Sequence, residues 1–127
     1  MGTENNLSVG DRAEIVVHVN DDFIARFAEF SGDDNPLHLD SDFADTTPFK
    51  RRVAHGMSYG AIFSRLVGTR IPGPGALWAS QSFEFRKPVF VNDNLTLSVE
   101  IIEANSSTRT FTLKCEARNQ HGYIVMT

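Results

Sequence analysis

The sequence predicts an α+β fold in which one long antiparallel sheet wraps around a single buried central helix. Two observations lead there. Residues 56–67, GMSYGAIFSRLV, carry one charged side chain in twelve, so a helix over this stretch is apolar on nearly every side and reads as buried. From residue 77 the chain reads instead as strands, over 77–85, 89–90, 95–102, 108–117 and 123–127, with turn-forming residues at 92–94, 105–107 and 120–122 joining antiparallel neighbours. Leu95, Leu97, Val99 and Ile101 alternate with Thr96, Ser98 and Glu100, and Phe111, Leu113, Cys115 and Ala117 alternate with Thr110, Thr112 and Lys114. That two-residue period marks half-buried strands. An apolar helix and a half-buried sheet satisfy each other only when the sheet curls around the helix.

Size and composition narrow the function. With 127 residues, 41% of them hydrophobic, the chain supports one core and one domain. Sixteen acidic against twelve basic side chains give a net charge of −4, without the basic footprint that a nucleic acid partner requires. The lone cysteine, Cys115, excludes an intrachain disulfide and sits on the core face of an expected strand, which fits a reducing cytoplasm. The start MGTENNLSVGD has neither the basic nor the apolar region of a signal peptide, and no apolar run reaches the roughly twenty residues of a membrane span. The last strand runs to Thr127 without polar closing residues, as expected of a piece of a longer sequence.

Residues 1–11 are polar and expected to be mobile, and a first strand covers 12–19. Asn20 then caps a helix with Asp21 and Asp22 at its positive end and with Phe23, Ile24, Phe27 and Phe30 as one apolar stripe ending near Ser31 and Gly32. Asp40 or Ser41 caps a short turn of helix through Ala44, and Thr46, Thr47 and Pro48 break it. Arg51 and Arg52 read as polar surface, and Gly68 reads as the stop of the apolar helix. Gly56 and Gly60 cost that helix about 1 kcal/mol each relative to alanine, which points to close approach of something to its backbone. The Pro/Gly-rich stretch 69–75 is a connection.

Chemistry concentrates in residues 31–40, SGDDNPLHLD. His38 follows Asp33 by five residues with Asn35 and Pro36 between them, so a loop folding back aims both side chains into one small volume. Asp33 takes a proton there, and the imidazole of His38 exchanges one near neutral pH. The same residues also make an ordinary Asx-rich turn with a packed histidine, and both readings stay open. Asp34 points to solvent and Asp40 acts as a cap. His38 and His55 with Asp33 or Asp40 suggest a metal set, but no compact ligand motif such as HExxH accompanies them; no metal is assigned, and His55 reads as the start of a helix. Gly56 offers the first unpaired amides of a buried helix, able to hold a developing oxyanion, or else merely allows close packing. Ser64, two turns on, reads as a hydrogen-bonding pocket residue.

Phe30-Ser31-Gly32-Asp33-Asp34-Asn35-Pro36-Leu37-His38-Leu39-Asp40, followed by Ala54-His55-Gly56-Met57, resembles the motif of the MaoC-like hydratases, specifically the small (R)-specific enoyl-CoA hydratases with a hot-dog fold. The stretch 81–89, QSFEFRKPV, is similar to that family's strand beside its substrate tunnel. The resemblance covers about residues 12–127 and implies one hot-dog hydratase domain there. It implies that Asp33 and His38 carry hydration, that the Gly56 amide binds the thioester oxygen, and that Ser64 supports the site. The implied substrate is a trans-2-enoyl thioester of CoA or acyl carrier protein, the product an (R)-3-hydroxyacyl thioester, and the assembly a homodimer without a cofactor. Leu37, Leu66 and Val67 are then candidates for the wall of the acyl chain, by apolar character and nearness in sequence. Two other functions fit the same residues: a hot-dog thioester hydrolase, and a non-catalytic acyl-thioester-binding module of a larger protein.

Overall fold

The computed structural model describes residues 7–127, so the mobile segment expected at 1–11 falls partly outside the described residues. The elements are β1 (Arg12–His18), α1 (Asp21–Ser31), α2 (Pro36–Leu39), α3 (Ser41–Asp45), α4 (Gly56–Thr69), β2 (Asn94–Asn105), β3 (Thr110–Arg118) and β4 (Ile124–Met126). The strands form one sheet in chain order, each antiparallel to the next. Residues 7–11 extend its first edge: Leu7 packs against the core, Gly10 N–H donates to the Ile101 carbonyl at 2.9 Å, and Ile101 N–H donates to the Asp11 carbonyl at 2.9 Å.

The register follows from the alternation. Leu97 pairs with Ile15 on one side and Ala117 on the other, and Val99 pairs with Ala13 and Cys115, so apolar side chains of three strands share one face. A slip of one residue would turn that whole set to solvent. On this face lies α4, whose Tyr59, Phe63, Leu66 and Val67 belong to the same core. The opposite side of α4, with Met57, Ala61, Ser64 and Arg65, is exposed within one chain. The helix also runs through the expected stop at Gly68 to Thr69. There the Thr69 hydroxyl donates to the Arg65 carbonyl and Arg70 N–H to the Leu66 carbonyl, satisfying the last turn without a glycine cap.

The two glycines of α4 face aromatic rings. A Cβ at Gly56 would lie 2.8 Å from Phe85 Cε1, and one at Gly60 3.2 Å from Phe83 Cε2. The segment carrying both phenylalanines therefore crosses the helix at backbone distance, which is the close approach that the glycines imply.

In α1 the Asn20 side chain accepts from Phe23 N–H at 2.9 Å, and Gly32, at φ 80°, ends the helix by donating to the Ala28 carbonyl. Its buried residues are Ile24 and Ala28, flanked by half-buried Phe23 and Phe27. Phe30 does not join the expected stripe and is 90% exposed. Position 30 lies about 20° around the helix from half-buried Phe23 but two turns further on, so its exposure follows from its place in the last turn of α1 and not from its angle.

The expected strand at 77–85 is also corrected. Residues 77–83 are extended but make no backbone-to-backbone hydrogen bond with other described residues, and pairing begins only where Glu84 and Thr127 exchange bonds of 2.7 and 3.0 Å. Alternation marks an extended backbone, whereas a ladder also needs a neighbour, and β4 reaches only residues 84–86. Leu77 is 95% exposed along this unpaired stretch. Between it and the first half of β3 lies a cavity of about 780 Å³.

Burial of Tyr59 against the sheet pushes its phenol up from 10.0 to about 12. An unfolded tyrosine ionises near 10, so the stabilisation is intact below that pH and is lost as pH rises towards the folded value. Urea midpoints should therefore fall more steeply between pH 10 and about 12 in the wild-type chain than in Tyr59→Phe. Equal slopes would show that the phenol is not buried.

Candidate active site

The chain leaves α1 at left-handed Gly32 and enters three successive side-chain turns. Ser31 Oγ accepts from Asp33 N–H at 3.1 Å, Asp33 Oδ1 from Asn35 N–H at 3.2 Å, and Asn35 Oδ1 from Leu37 N–H at 3.0 Å. Pro36 opens α2, where its missing N–H costs nothing. Asp40 then caps α3, its Oδ1 accepting from Asp42 and Phe43 N–H. The Asx-rich turn and the chemical site are thus one object. With Oδ1 of Asp33 spent on the turn, Oδ2 faces His38 Nε2 at 3.9 Å. Asp34 is exposed.

His38 is fixed from behind. Its Nδ1 lies 2.5 Å from the Val53 carbonyl, an acceptor only, so Nδ1 carries the hydrogen and Nε2 is the atom presented to Asp33. Val53 itself is held: its N–H donates to the Leu37 carbonyl at 3.3 Å, Ala54 N–H to the Val89 carbonyl at 2.7 Å, and Val91 N–H to the Arg52 carbonyl at 3.1 Å. Arg52 does not lie in open surface as its sequence context suggests. Its side chain is 16% exposed and forms an ion pair with Asp21 at the start of α1. Arg51 stacks its guanidinium 3.9 Å from the Phe90 ring centroid.

His55 holds the N-cap position of α4 and is 3% exposed. Its Nε2 donates to the Asp33 carbonyl at 3.0 Å, and its ring stacks on His38 with centroids 3.9 Å apart and planes at 29°. In the sequence it reads only as the start of a helix. The signal was its place beside Gly56, but its burial against the Asp33 loop comes from a contact 22 residues away in the chain. Gly56 follows directly, and among the described residues its N–H, like that of Met57, has no hydrogen-bond partner. The site thus gathers Asp33, His38 and the Gly56 amide, with His55 behind them.

The remaining candidates are spread wider. Leu37 is half-buried beside His38, and Leu66 is fully buried in the core. Ser64 sits on the exposed side of α4, about 12 Å along the axis from Gly56. Val67 lines the cavity between residues 76–82 and β3, whereas Asp33, His38 and Gly56 do not. Cys115 lines it too; burial pushes its thiol up, with a hydrogen bond from Gln81 opposing.

Asp33, His38 and His55 each bring a ligand atom within 4.8 Å of the others, a spacing open to a metal ion. The geometry suits it poorly. Stacked rings send their in-plane lone pairs side by side rather than to one point. A carboxylate oxygen and an imidazole nitrogen 3.9 Å apart, able to hold one water seated to their side, together with an unpaired helix amide are the parts of a proton-transfer site with an oxyanion donor.

Comparison with known proteins gives the family and the fold. The model of the MaoC like domain family matches residues 6–121. The chain is 38% identical over 122 residues to an (R)-specific enoyl-CoA hydratase of Aeromonas caviae, covering 96% of this chain and 91% of that protein. It is 39% identical over 110 residues to a 3-hydroxybutyryl-CoA dehydratase of Methylorubrum extorquens, covering 87% and 70%. The solved (R)-hydratase from A. caviae superimposes with a TM-score of 0.93 at 39% identity over 95% of this chain and 92% of that one. An R-hydratase from Pseudomonas aeruginosa gives 0.91 at 36% identity, over 97% and 79%. The fold is the hot-dog fold of these R-hydratases, and the chain belongs to the MaoC-like domain family.

Proposed function

We propose that this chain is a hydro-lyase that reversibly adds water to trans-2-enoyl thioesters, giving (R)-3-hydroxyacyl thioesters. The observation that carries this is the facing of Asp33 Oδ2 and His38 Nε2 across 3.9 Å. Gly56, with its unpaired N–H, lies one residue from the histidine that holds the Asp33 carbonyl. The relatives named as hydratases of enoyl-CoA support the direction of the chemistry.

Water seated between the two side chains attacks C3. Asp33 takes a proton from it as the new O–C3 bond forms, and His38, doubly protonated, delivers the Nε2 proton to C2. The Asp33 proton then returns to His38 across the same gap, which restores the site without a cofactor. As the O–C3 bond forms, the π electrons of the C2=C3 bond shift through the enolate to the thioester oxygen, where the Gly56 N–H donates to it, and they return to C2 as that carbon accepts the proton from His38. A preorganised donor of this kind contributes about 3 kcal/mol to such transition states.

Ser64, Leu37 and Val67 are assigned to substrate binding, with Val67 best placed because it lines the large cavity, whereas Leu66, expected beside them, has no exposed surface and supports the wall from within the core. The thioester is carried on CoA or on acyl carrier protein. A homodimer is supported by the unpaired backbone of residues 77–83 and by exposed Leu77, Trp78 and Phe85 along it, since an apolar sheet edge invites a second copy. A cytoplasmic location fits the single, buried and unpaired Cys115. No helix of the described residues is long and apolar enough to cross a membrane.

Asp33→Asn and His38→Ala should each lower kcat for crotonyl-CoA hydration by about 100-fold or more, as expected for loss of a positioned acid or base. Near-wild-type rates in both variants would dismiss the assignment. Val67→Ala should move the optimum of an acyl-length series towards longer chains, and an unchanged series would remove Val67 from the acyl wall.

A further inference from the structure

Within the hydration reading, on which this rests, we infer that His55 is a positioning residue that sets the distance between the general base and the oxyanion donor. Its ring joins two parts of the site that nothing else joins so directly. At one end Nε2 donates to the carbonyl of Asp33 at 3.0 Å. At the other, the carbonyl carbon of His55 is bonded to the nitrogen of Gly56, the proposed donor to the thioester oxygen. One side chain and one peptide bond span the site.

The orientation of that peptide is itself determined. The His55 carbonyl accepts from Ser58 N–H at 3.0 Å and from the Ser58 hydroxyl at 2.5 Å, and Ser58 is 1% exposed. A peptide plane held through its carbonyl has its N–H direction fixed as well, so Gly56 N–H points along one line before substrate arrives. The Asp33 end has few alternatives. Its other hydrogen bonds, with Ser31 Oγ and Asn35 N–H, are local and exposed, whereas that from His55 is long-range and part-buried. The His55 ring also lies flat on His38 and limits its tilt, while the Val53 carbonyl sets its rotation.

His55 Nδ1 identifies which of these contacts matters. The carbonyl of Asp33 accepts only, so the hydrogen is on Nε2 and Nδ1 bears a lone pair. Among the described residues it is the buried side-chain atom without a hydrogen-bond partner. A buried acceptor left unpaired is unfavourable, and a phenylalanine would stack on His38 and pack on Phe27 without that penalty. What histidine adds over phenylalanine here is the N–H to Asp33.

Two substitutions separate donor from ring. His55→Gln keeps an N–H able to reach the Asp33 carbonyl and loses the stack; His55→Phe keeps the stack and loses the N–H. Steady-state crotonyl-CoA hydration by the full chain, with thermal midpoints alongside, reads the difference. His55→Phe should lose about 30-fold or more in kcat with KM changed by less than about threefold and a midpoint no lower than wild type, the pattern of a misplaced catalytic group. His55→Gln should stay within about fivefold of wild-type kcat. Wild-type kcat in His55→Phe overturns the inference, as does an equal loss in both folded variants, which would make the ring's packing the cause. If His55→Phe fails to fold, His55→Gln decides: a retained rate upholds the donor role and a large loss overturns it. A wild-type chain inert towards crotonyl-CoA would instead sink the hydration reading itself and this inference with it.

Discussion

The hydrogen bond between His38 Nδ1 and the Val53 carbonyl joins two stretches of chain that secondary structure leaves apart. It decides which nitrogen of His38 faces Asp33, and so whether that pair can pass a proton at all. Val53 can serve as an anchor only because residues 52–54 are bonded to residues 89–91, which lead into the central strand β2. The chemistry at one end of the molecule therefore depends on sheet pairing established by residues far along the sequence. The ion pair between Arg52 and Asp21 closes the same arrangement from the side of α1.

Packing of α4 supplies the other half of the site. An N-terminal amide is useful only where the helix end is held and the approach to it is shaped, and the glycines at 56 and 60 let Phe85 and Phe83 cross at backbone distance. Their conformational cost is small beside the burial of Tyr59, Phe63, Leu66 and Val67 on the sheet. Stability is carried by the inner side of the helix, leaving the first amide, at Gly56, free for function.

Much of this was legible in the sequence because it is local. The Asn20 cap, the Gly32 stop, the Asp40 cap and the register of β2 and β3 follow from side chains and backbone within a few residues. Asp33 and His38 were legible for the same reason, being five residues apart around a proline. What the sequence concealed is long-range. Phe30 shares the face of half-buried Phe23 but lies in the last turn of α1, residues 77–83 have the alternation of a strand but no backbone partner among the described residues, and His55 acquires its place from a loop 22 residues earlier. Arg52 read as surface because nothing near it in the chain reveals Asp21 as its partner.

The central claim is that Asp33, His38 and the Gly56 amide act together on the double bond of an enoyl thioester rather than on its carbonyl carbon. Incubation of the chain with crotonyl-CoA, followed by enoyl absorbance, thiol titration and chiral chromatography of the product, measures this directly. Loss of absorbance without release of thiol, and a 3-hydroxybutyryl thioester of R configuration, are the expected results. Release of free CoA, or a product of S configuration, would contradict it.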